Sequence, residues 1–231
     1  MGVTTDEEFR SARERAGKQR ERDAANLCPT CYGQGFILDG ATPEPCACTL
    51  RAWRDNYLSR LPDCTFDRYE TTDNVTAWRA AQLYAEHGLN RPWLVLAAPP
   101  GRGKTHLAVA ILRHRACAEP PEMGVFRPAV ELLDWFRAGM QPEASPDYET
   151  RISLACSWPL LVLDDLRAHR ETPWSMDALE RILDARHRAD LETIITLETV
   201  IGLPERMVSR LLDRQKSCCM TLTGRDHRQN P

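Results

Sequence analysis

Hydrophobic and polar positions settle into a regular alternation from about residue 71 onward. Short runs apolar at nearly every position, "PWLVLAA" (92–98), "PLLVLDDL" (159–166) and "ETIITL" (192–197), are separated by longer stretches whose apolar residues recur every three or four positions. A strand apolar on both faces is buried on both faces, as in the centre of a parallel sheet, whereas the longer spacing belongs to amphipathic helices. The order read from the pattern is helix (76–88), strand (92–98), helix (104–118), strand (124–127), helix (128–140), strand (159–166), helix (175–190), strand (192–197), helix (204–215) and a short last strand (218–224). Strands alternating with helices predict an α/β fold with a parallel sheet flanked by helices.

Upstream the pattern changes. Residues 1–25 alternate charge signs with Phe9 as their large apolar side chain, which reads as a solvated helix or tail. Residues 26–50 are crowded with Gly, Pro and Cys, and residues 51–70 form a connector with a few anchoring aromatics, which leaves 71–231 as the core. Cys28 and Cys31 make a C-x-x-C pair, and Cys46 and Cys48 a C-x-C pair. Four thiolates in two pairs suit a tetrahedral structural zinc, and a zinc-ribbon-like module of this size has too little apolar surface to fold without one. Gly33 and Gly35 permit the turn after the first pair, and "FIL" (36–38) is a candidate ribbon strand. An iron–sulfur cluster uses the same ligand set, and reduced thiols are the remaining alternative. Cys64, Cys117, Cys156, Cys218 and Cys219 lie among apolar neighbours and read as small core residues.

Composition narrows the classes. A chain of 231 residues holds one main domain and a small appended module. Its nine cysteines are odd in number and unevenly placed, four of them between positions 28 and 48, which fits metal binding better than a secreted disulfide framework. With 30 basic against 33 acidic side chains and a formal net charge of -3, a uniformly basic surface is excluded, so any nucleic-acid contact comes from a local patch. The apolar runs fall far short of the about 20 residues that span a bilayer. A cytoplasmic protein without membrane contact is expected.

Candidate chemistry begins at "APPGRGKTH" (98–106), between a strand and a helix. Gly101 and Gly103 allow the backbone N–H groups of Pro100–His106 that exist, those of Gly101, Arg102, Gly103, Lys104, Thr105 and His106, to turn toward phosphate oxygens at a helix N-terminus. Lys104 is placed to reach the β- and γ-phosphates, and Thr105 to offer a hydroxyl to Mg²⁺. Ala98 stands where the motif asks for its first glycine. "LLVLDD" ends a buried strand in two carboxylates; Asp164 is the candidate for the Mg²⁺ shell, and Asp165 for orienting or deprotonating the attacking water.

"PPGRGKTHLA", "LLVLDDL", "TPWSMDALERILDARHRADLETIIT", "LPERMVSRLLD" and "TLTGRDHR" together resemble the AAA+ helicase loaders of the DnaC/DnaI kind and the related IstB-type transposition helpers, over most of residues 60–228. The resemblance implies a P-loop AAA+ core that binds and hydrolyses ATP, with Arg210 as the finger reaching a neighbouring subunit's γ-phosphate and Arg228 as the second sensor. The spacing alone leaves Arg210 as an exposed helical arginine paired with Glu205 or Asp213, and Arg228 as a tail residue. Where that family has a polar Ser-Asn first sensor, this chain has Thr196 followed by Leu197 and Glu198, which predicts slow hydrolysis unless Thr196 substitutes. The family's DNA-contacting insertion matches residues 130–151, with Trp135, Phe136, Arg137 and Tyr148 as candidates, though Leu132, Leu133 and Phe136 also fall at core spacing. Arg113, His114 and Arg115 form another basic cluster, read as a solvated helix end, and Phe66 or Tyr69 either lies against adenine or anchors the connector.

"CPTCYGQGF" also resembles one zinc repeat of the DnaJ-type chaperones, which carry several. Some loader-like proteins have a cysteine-rich N-terminal module, in keeping with this order. The implied function is helicase loading in DNA replication, with ATP, Mg²⁺ and Zn²⁺ as cofactors. Single-stranded DNA and a replicative helicase are the implied partners, and assembly into a homo-oligomer depends on nucleotide. Alternatives are a transposition or phage-replication helper ATPase, a nucleotide-switched adaptor with little hydrolysis, and a small-molecule phosphotransferase.

Overall fold

The alternation of apolar runs and helical patterns becomes a five-stranded parallel sheet with helices on both faces. The computed structural model describes residues 36–39, 42–88, 90–118, 121–167 and 172–227. The chain divides into two units, residues 1–53 and 54–231.

In the first unit, β1 (Phe36–Asp39) and β2 (Thr42–Pro45) form an antiparallel pair with Phe36 opposite Pro45 and Asp39 opposite Thr42. The "FIL" strand is where the sequence suggests it. Its partner "TPEP" is not legible in advance, because proline disfavours strands except where the N–H side is unpaired, as it is in a two-stranded ribbon. Helix α1 covers Ala47–Leu58, so residues 51–58, expected as connector, are helical.

In the second unit a 3₁₀ turn (Phe66–Arg68) precedes α2 (Val75–His87), β3 (Trp93–Ala97), α3 (Lys104–Ala116), β4 (Gly124–Pro128) and α4 (Ala129–Ala138). Then come α5 (Tyr148–Ser157), β5 (Leu160–Asp164), α6 (Pro173–Arg188), β6 (Glu192–Leu197), α7 (Glu205–Leu211) and β7 (Ser217–Thr221). The strand order is β4-β5-β6-β3-β7, which places β6 between the strand of the phosphate loop and the strand of the acid pair.

Two apolar layers explain the uninterrupted hydrophobic runs. On β3, Trp93 and Val95 pack with the layer that includes α4, α5, α6 and α7, while Leu94 and Leu96 pack with the layer of α2 and α3. On β5, Leu161 and Leu163 divide from Leu160 and Val162 in the same way. Neighbouring side chains of one strand enter opposite layers, so successive positions are apolar along the middle of β3 and β5.

The sequence reading misses α5. Asp147 caps it by accepting the Thr150 N–H at 2.8 Å, and its inward residues are Arg151, Ile152 and Ala155, a face with too little apolar content to stand out. α7 ends at Leu211 rather than near 215, and the chain turns with Lys216 N–H bonding the Asp213 carbonyl at 3.1 Å.

The basic end of α3 is not a solvated one. His114 is exposed, but Arg115 is 9% exposed, bonds the Tyr84 carbonyl and Glu192 at 2.9 Å each, and pairs with Glu122. Arg113 bonds the Leu58 carbonyl at 3.0 Å and Asp63 at 3.3 Å. Both arginines fasten neighbouring segments to the helix. Of the five scattered cysteines, Cys156 and Cys218 are partly exposed and pack against the two apolar layers, Cys64 is partly exposed, and Cys117 and Cys219 are exposed rather than in the core. No helix among the described residues is long and apolar enough to cross a membrane.

Candidate nucleotide-binding site

All strands of the sheet run the same way, so the segments that leave β3, β5 and β6 emerge along one edge. There they enclose a cavity of about 530 Å³ lined by Pro100, Gly101, Arg102, Gly103, Lys104, Thr105 and His106, by Asp164 and Asp165, and by Arg167, Thr196, Glu198 and His227. The phosphate-loop residues and both acids singled out in the sequence therefore meet in one place.

Backbone conformation shapes the loop. Gly101 and Gly103 have φ of 74° and 84°, in the left-handed region that side-chain-bearing residues avoid. Gly103 also makes close approach possible, because a Cβ there would lie 2.6 Å from Cε2 of Tyr69. The Tyr69 ring in turn meets His106 edge-on at 5.3 Å. His106 Nε2 bonds the Thr65 carbonyl at 2.7 Å, which puts the proton on that nitrogen and ties the entering segment to the first turn of α3. Lys104 Nζ donates to the carbonyls of Ala98 (2.7 Å) and Pro99 (3.0 Å), closing the loop over itself.

Across the cavity a chain of hydrogen bonds joins the first turn of α3 to the strands β5 and β6. Thr105 Oγ1 donates to Asp164 Oδ1 and Oδ2 at 2.9 and 3.1 Å, and Thr196 Oγ1 donates to the same Oδ1 at 2.7 Å. The Thr196 hydroxyl also accepts the Asp165 N–H at 2.8 Å. Burial pushes the Asp164 carboxyl above its ordinary value, opposed by the hydrogen bonds from Thr196 and Thr105 that favour the ionised form. Asp165 has φ of 53°, an uncommon conformation for a residue with a side chain, and its exposed side chain lines the cavity.

Thr196 belongs to the site, and the alternation of β6 shows why. Leu197 is buried in the layer of α6 and α7, while Glu198, one position further, lines the cavity. Residues two apart share a face. Leu197 is therefore excluded from the cavity by its position in the strand, and Thr196 and Glu198 are the residues that face it. Arg167 and His227 escape the sequence reading. The clue to Arg167 was its place two residues beyond the acid pair, at the same end of the strand.

Arg210 lies elsewhere. It lines a surface hollow of about 330 Å³ with Asp177, Glu180, Arg181, Asp184 and Arg206. It bonds Asp184 through Nε at 3.2 Å and Nη2 at 2.7 Å, rather than Glu205 or Asp213. The contact across to α6 takes precedence over pairing along its own helix.

The proposed DNA-contacting residues separate. Phe136 is fully buried, which removes it as a contact. Trp135 stacks on Trp158 at 5.8 Å, and Tyr148 packs edge-on against Phe136 at 6.3 Å. Arg137 stays well exposed, paired with Asp134 at 2.8 Å and lying over the Trp174 ring at 5.0 Å. Cys46 is buried and Cys48 partly exposed in the first unit, whereas Cys28, Cys31 and Arg228 lie outside the described residues. Among the described residues no group of three or more His, Cys, Asp and Glu is arranged to hold a metal.

No protein-family model matches the sequence, and no curated protein does. Solved structures do match. A DnaC helicase loader aligns at TM-score 0.59 with 22% identity, over 70% of this chain and 97% of that one. A DnaI structure aligns at 0.57 with 20% identity, over 72% and 94%. The replication initiator DnaA bound to AMPPCP and single-stranded DNA aligns at 0.59 with 16% identity over 71% of this chain, which spans about half (51%) of the initiator. At these identities the likeness speaks to architecture: the chain shares the fold of these loader and initiator structures, a five-stranded parallel sheet between two helical layers.

Proposed function

We propose that the chain is an ATP-binding and ATP-hydrolysing helicase loader of DNA replication, cytoplasmic and assembled into a homo-oligomer when nucleotide is bound. The observation that carries this reading is the single cavity shared by the phosphate loop, the acid pair and Thr196. The architecture shared with the DnaC and DnaI loaders supports it, as does the likeness to an initiator whose structure holds AMPPCP and single-stranded DNA.

The lining fits a magnesium triphosphate. Arg102 lines the cavity, and its Nη1, shielded from solvent, has no hydrogen-bond partner among the described residues, a donor suited to a phosphate oxygen. Thr105 and Asp164 are hard oxygen donors of the kind magnesium takes, and Asp164 is a buried carboxyl that a cation would hold ionised. Bound there, magnesium supplies positive charge against the phosphate oxygens. Lys104 exchanges the carbonyls of Ala98 and Pro99 for the β- and γ-phosphates. Asp165 orients a water and takes its proton; the water oxygen bonds to the γ-phosphorus while the bond to the bridging oxygen breaks, and that electron pair leaves with ADP. Arg210 serves the γ-phosphate of a neighbouring subunit, and Arg228 acts as second sensor.

Thr196 replaces the first sensor by fixing both acids, through its bonds to the Asp164 carboxylate and the Asp165 amide. Thr196→Val is expected to lower single-turnover phosphate release about tenfold, the effect of one charge-assisted hydrogen bond, with nucleotide affinity within about threefold. Unchanged release would remove Thr196 from the reaction.

Arg137, Trp135 and Tyr148 offer the charge and aromatic surface that single-stranded DNA requires. Cys28, Cys31, Cys46 and Cys48 hold a structural zinc, and the module they form docks the replicative helicase. A second reading, a nucleotide-switched adaptor with little hydrolysis, is favoured by Glu198, whose carboxylate lines the cavity and opposes a terminal phosphate.

Native mass measurement of the full chain with ATP, Mg²⁺, Zn²⁺, single-stranded DNA and a hexameric replicative helicase tests the whole reading. One zinc and one nucleotide per chain, a nucleotide-dependent oligomer and a joint complex with DNA and helicase are expected. A folded chain without nucleotide overturns the ATP assignment, one without zinc overturns the metal module, and ATP-loaded chains that ignore DNA and helicase overturn loading.

A further inference from the structure

One cation of the cavity has no assigned task. Arg167 follows the acid pair at the end of β5 and lines the same cavity as Lys104, Asp165 and Glu198. Its Nη1 donates to the carbonyl of Ile201, so the side chain is anchored to the segment that follows β6. Lys104 enters the cavity from the end of β3, and β6 separates β3 from β5. Lys104 and Arg167 thus approach from opposite sides.

We propose that Arg167 is a catalytic residue that acts within its own subunit, where its guanidinium takes an oxygen of the terminal phosphate. This rests on the ATP-hydrolysing reading. A triphosphate extending from the phosphate loop toward the acids brings its γ-phosphate to the side where Asp165 and Glu198 stand. Two carboxylates beside a polyanion repel it, and a fixed cation on that side restores the balance as charge shifts during transfer. Arginine suits the position better than lysine. Its planar fork, anchored at the Ile201 carbonyl, presents several donors in fixed directions, whereas a single ammonium on a flexible stem holds two partners less well.

Action within one subunit separates Arg167 from Arg210, which lies in a different hollow. Arg167→Ala is expected to lower single-turnover phosphate release between about 10- and 100-fold, less than a fully buried donor commands because the site is open to water, with the nucleotide dissociation constant changed by less than about threefold. Arg167→Lys is expected to fall between the two. Mixing experiments then assign the subunit. Lys104→Ala chains mixed with Arg210→Ala chains recover turnover, since an intact nucleotide site meets an intact finger. Lys104→Ala chains mixed with Arg167→Ala chains do not, because the only intact phosphate loop lacks its own Arg167.

Recovery in the second mixture would overturn the assignment within one subunit. Arg167→Ala turnover equal to or above that of the unaltered chain would overturn a catalytic role altogether. If the unaltered chain binds or hydrolyses no ATP, the failure belongs to the underlying reading. Nucleotide binding by the Arg167→Ala chain shows that it folds, and if it binds none, Arg167→Lys decides: release equal to the unaltered chain overturns the proposal, and a partial loss at unchanged affinity upholds it.

Discussion

Asp165→Asn is expected to reduce single-turnover phosphate release by about 10²- to 10⁴-fold while ATP still binds, within about threefold of its original affinity. Two structural facts make this substitution decisive. The Asp165 backbone has φ of 53°, which asparagine tolerates as well as aspartate, so the turn at the end of β5 survives. Its amide is bonded to Thr196, a backbone contact the substitution leaves intact. What is lost is the acid that lines the cavity, which in the proposed reaction accepts the water's proton. At about 1.4 kcal/mol for each factor of ten, the loss corresponds to roughly 3 to 6 kcal/mol of activation free energy. Release unchanged by the substitution would remove Asp165 from the reaction. An unaltered chain that binds ATP but releases no phosphate would instead favour the adaptor, with Glu198 as the group that holds the terminal phosphate off.

That the candidate phosphate loop and the acid pair share one cavity was legible because the chemistry expected of them fixes both residue type and place. Polyphosphate cradles need glycine at positive φ, a lysine and a hydroxyl just after, and a strand before. The sheet then brings the second half of the site from a strand two places away, a result the sequence implies once β-α alternation is recognised. Thr196 was half legible. Period-two alternation along "TIITLE" puts Thr196 and Glu198 on one face and Leu197 on the other, which settles which residues can face the cavity.

What stayed hidden involves partners without a signature of their own. Arg115 resembles any basic residue near a helix end, and only the fold brings Glu192 and the Tyr84 carbonyl to it. Arg210 finds Asp184 on the neighbouring helix because α6 and α7 pack together, which the spacing within α7 does not reveal. Proline in β2 and a weakly apolar α5 obscured those elements for a related reason: local preference was overruled by pairing and by a cap.

Arg186 carries the same lesson to its largest energetic consequence. In sequence it belongs to the basic tail of α6, yet its side chain is 0% exposed and meets no carboxylate among the described residues. Nη1 donates to the carbonyls of Ala155 (3.1 Å) and Trp158 (2.8 Å), Nη2 to that of Glu192 (2.7 Å), and Nε to the Thr193 hydroxyl (3.0 Å). Two of these acceptors lie at the end of α5, where helical carbonyls lack partners, and two at the start of β6. One guanidinium therefore fastens three elements. Burial pulls its pKa down to about 10, so it remains charged at neutral pH. Arg186→Leu keeps apolar bulk but leaves several buried acceptors without a donor, each worth about 1 to 3 kcal/mol, offset in part by relief of the buried charge. The net loss is expected near 4 kcal/mol, seen as a melting temperature lower by about 10 °C in a chain of this size. Arg186 is absent from the cavity lining, so phosphate release per folded molecule should stay within about twofold. A stability change below about 1 kcal/mol would mean that water or rearranged backbone replaces the guanidinium, and that the junction of α5, α6 and β6 is held by apolar packing alone.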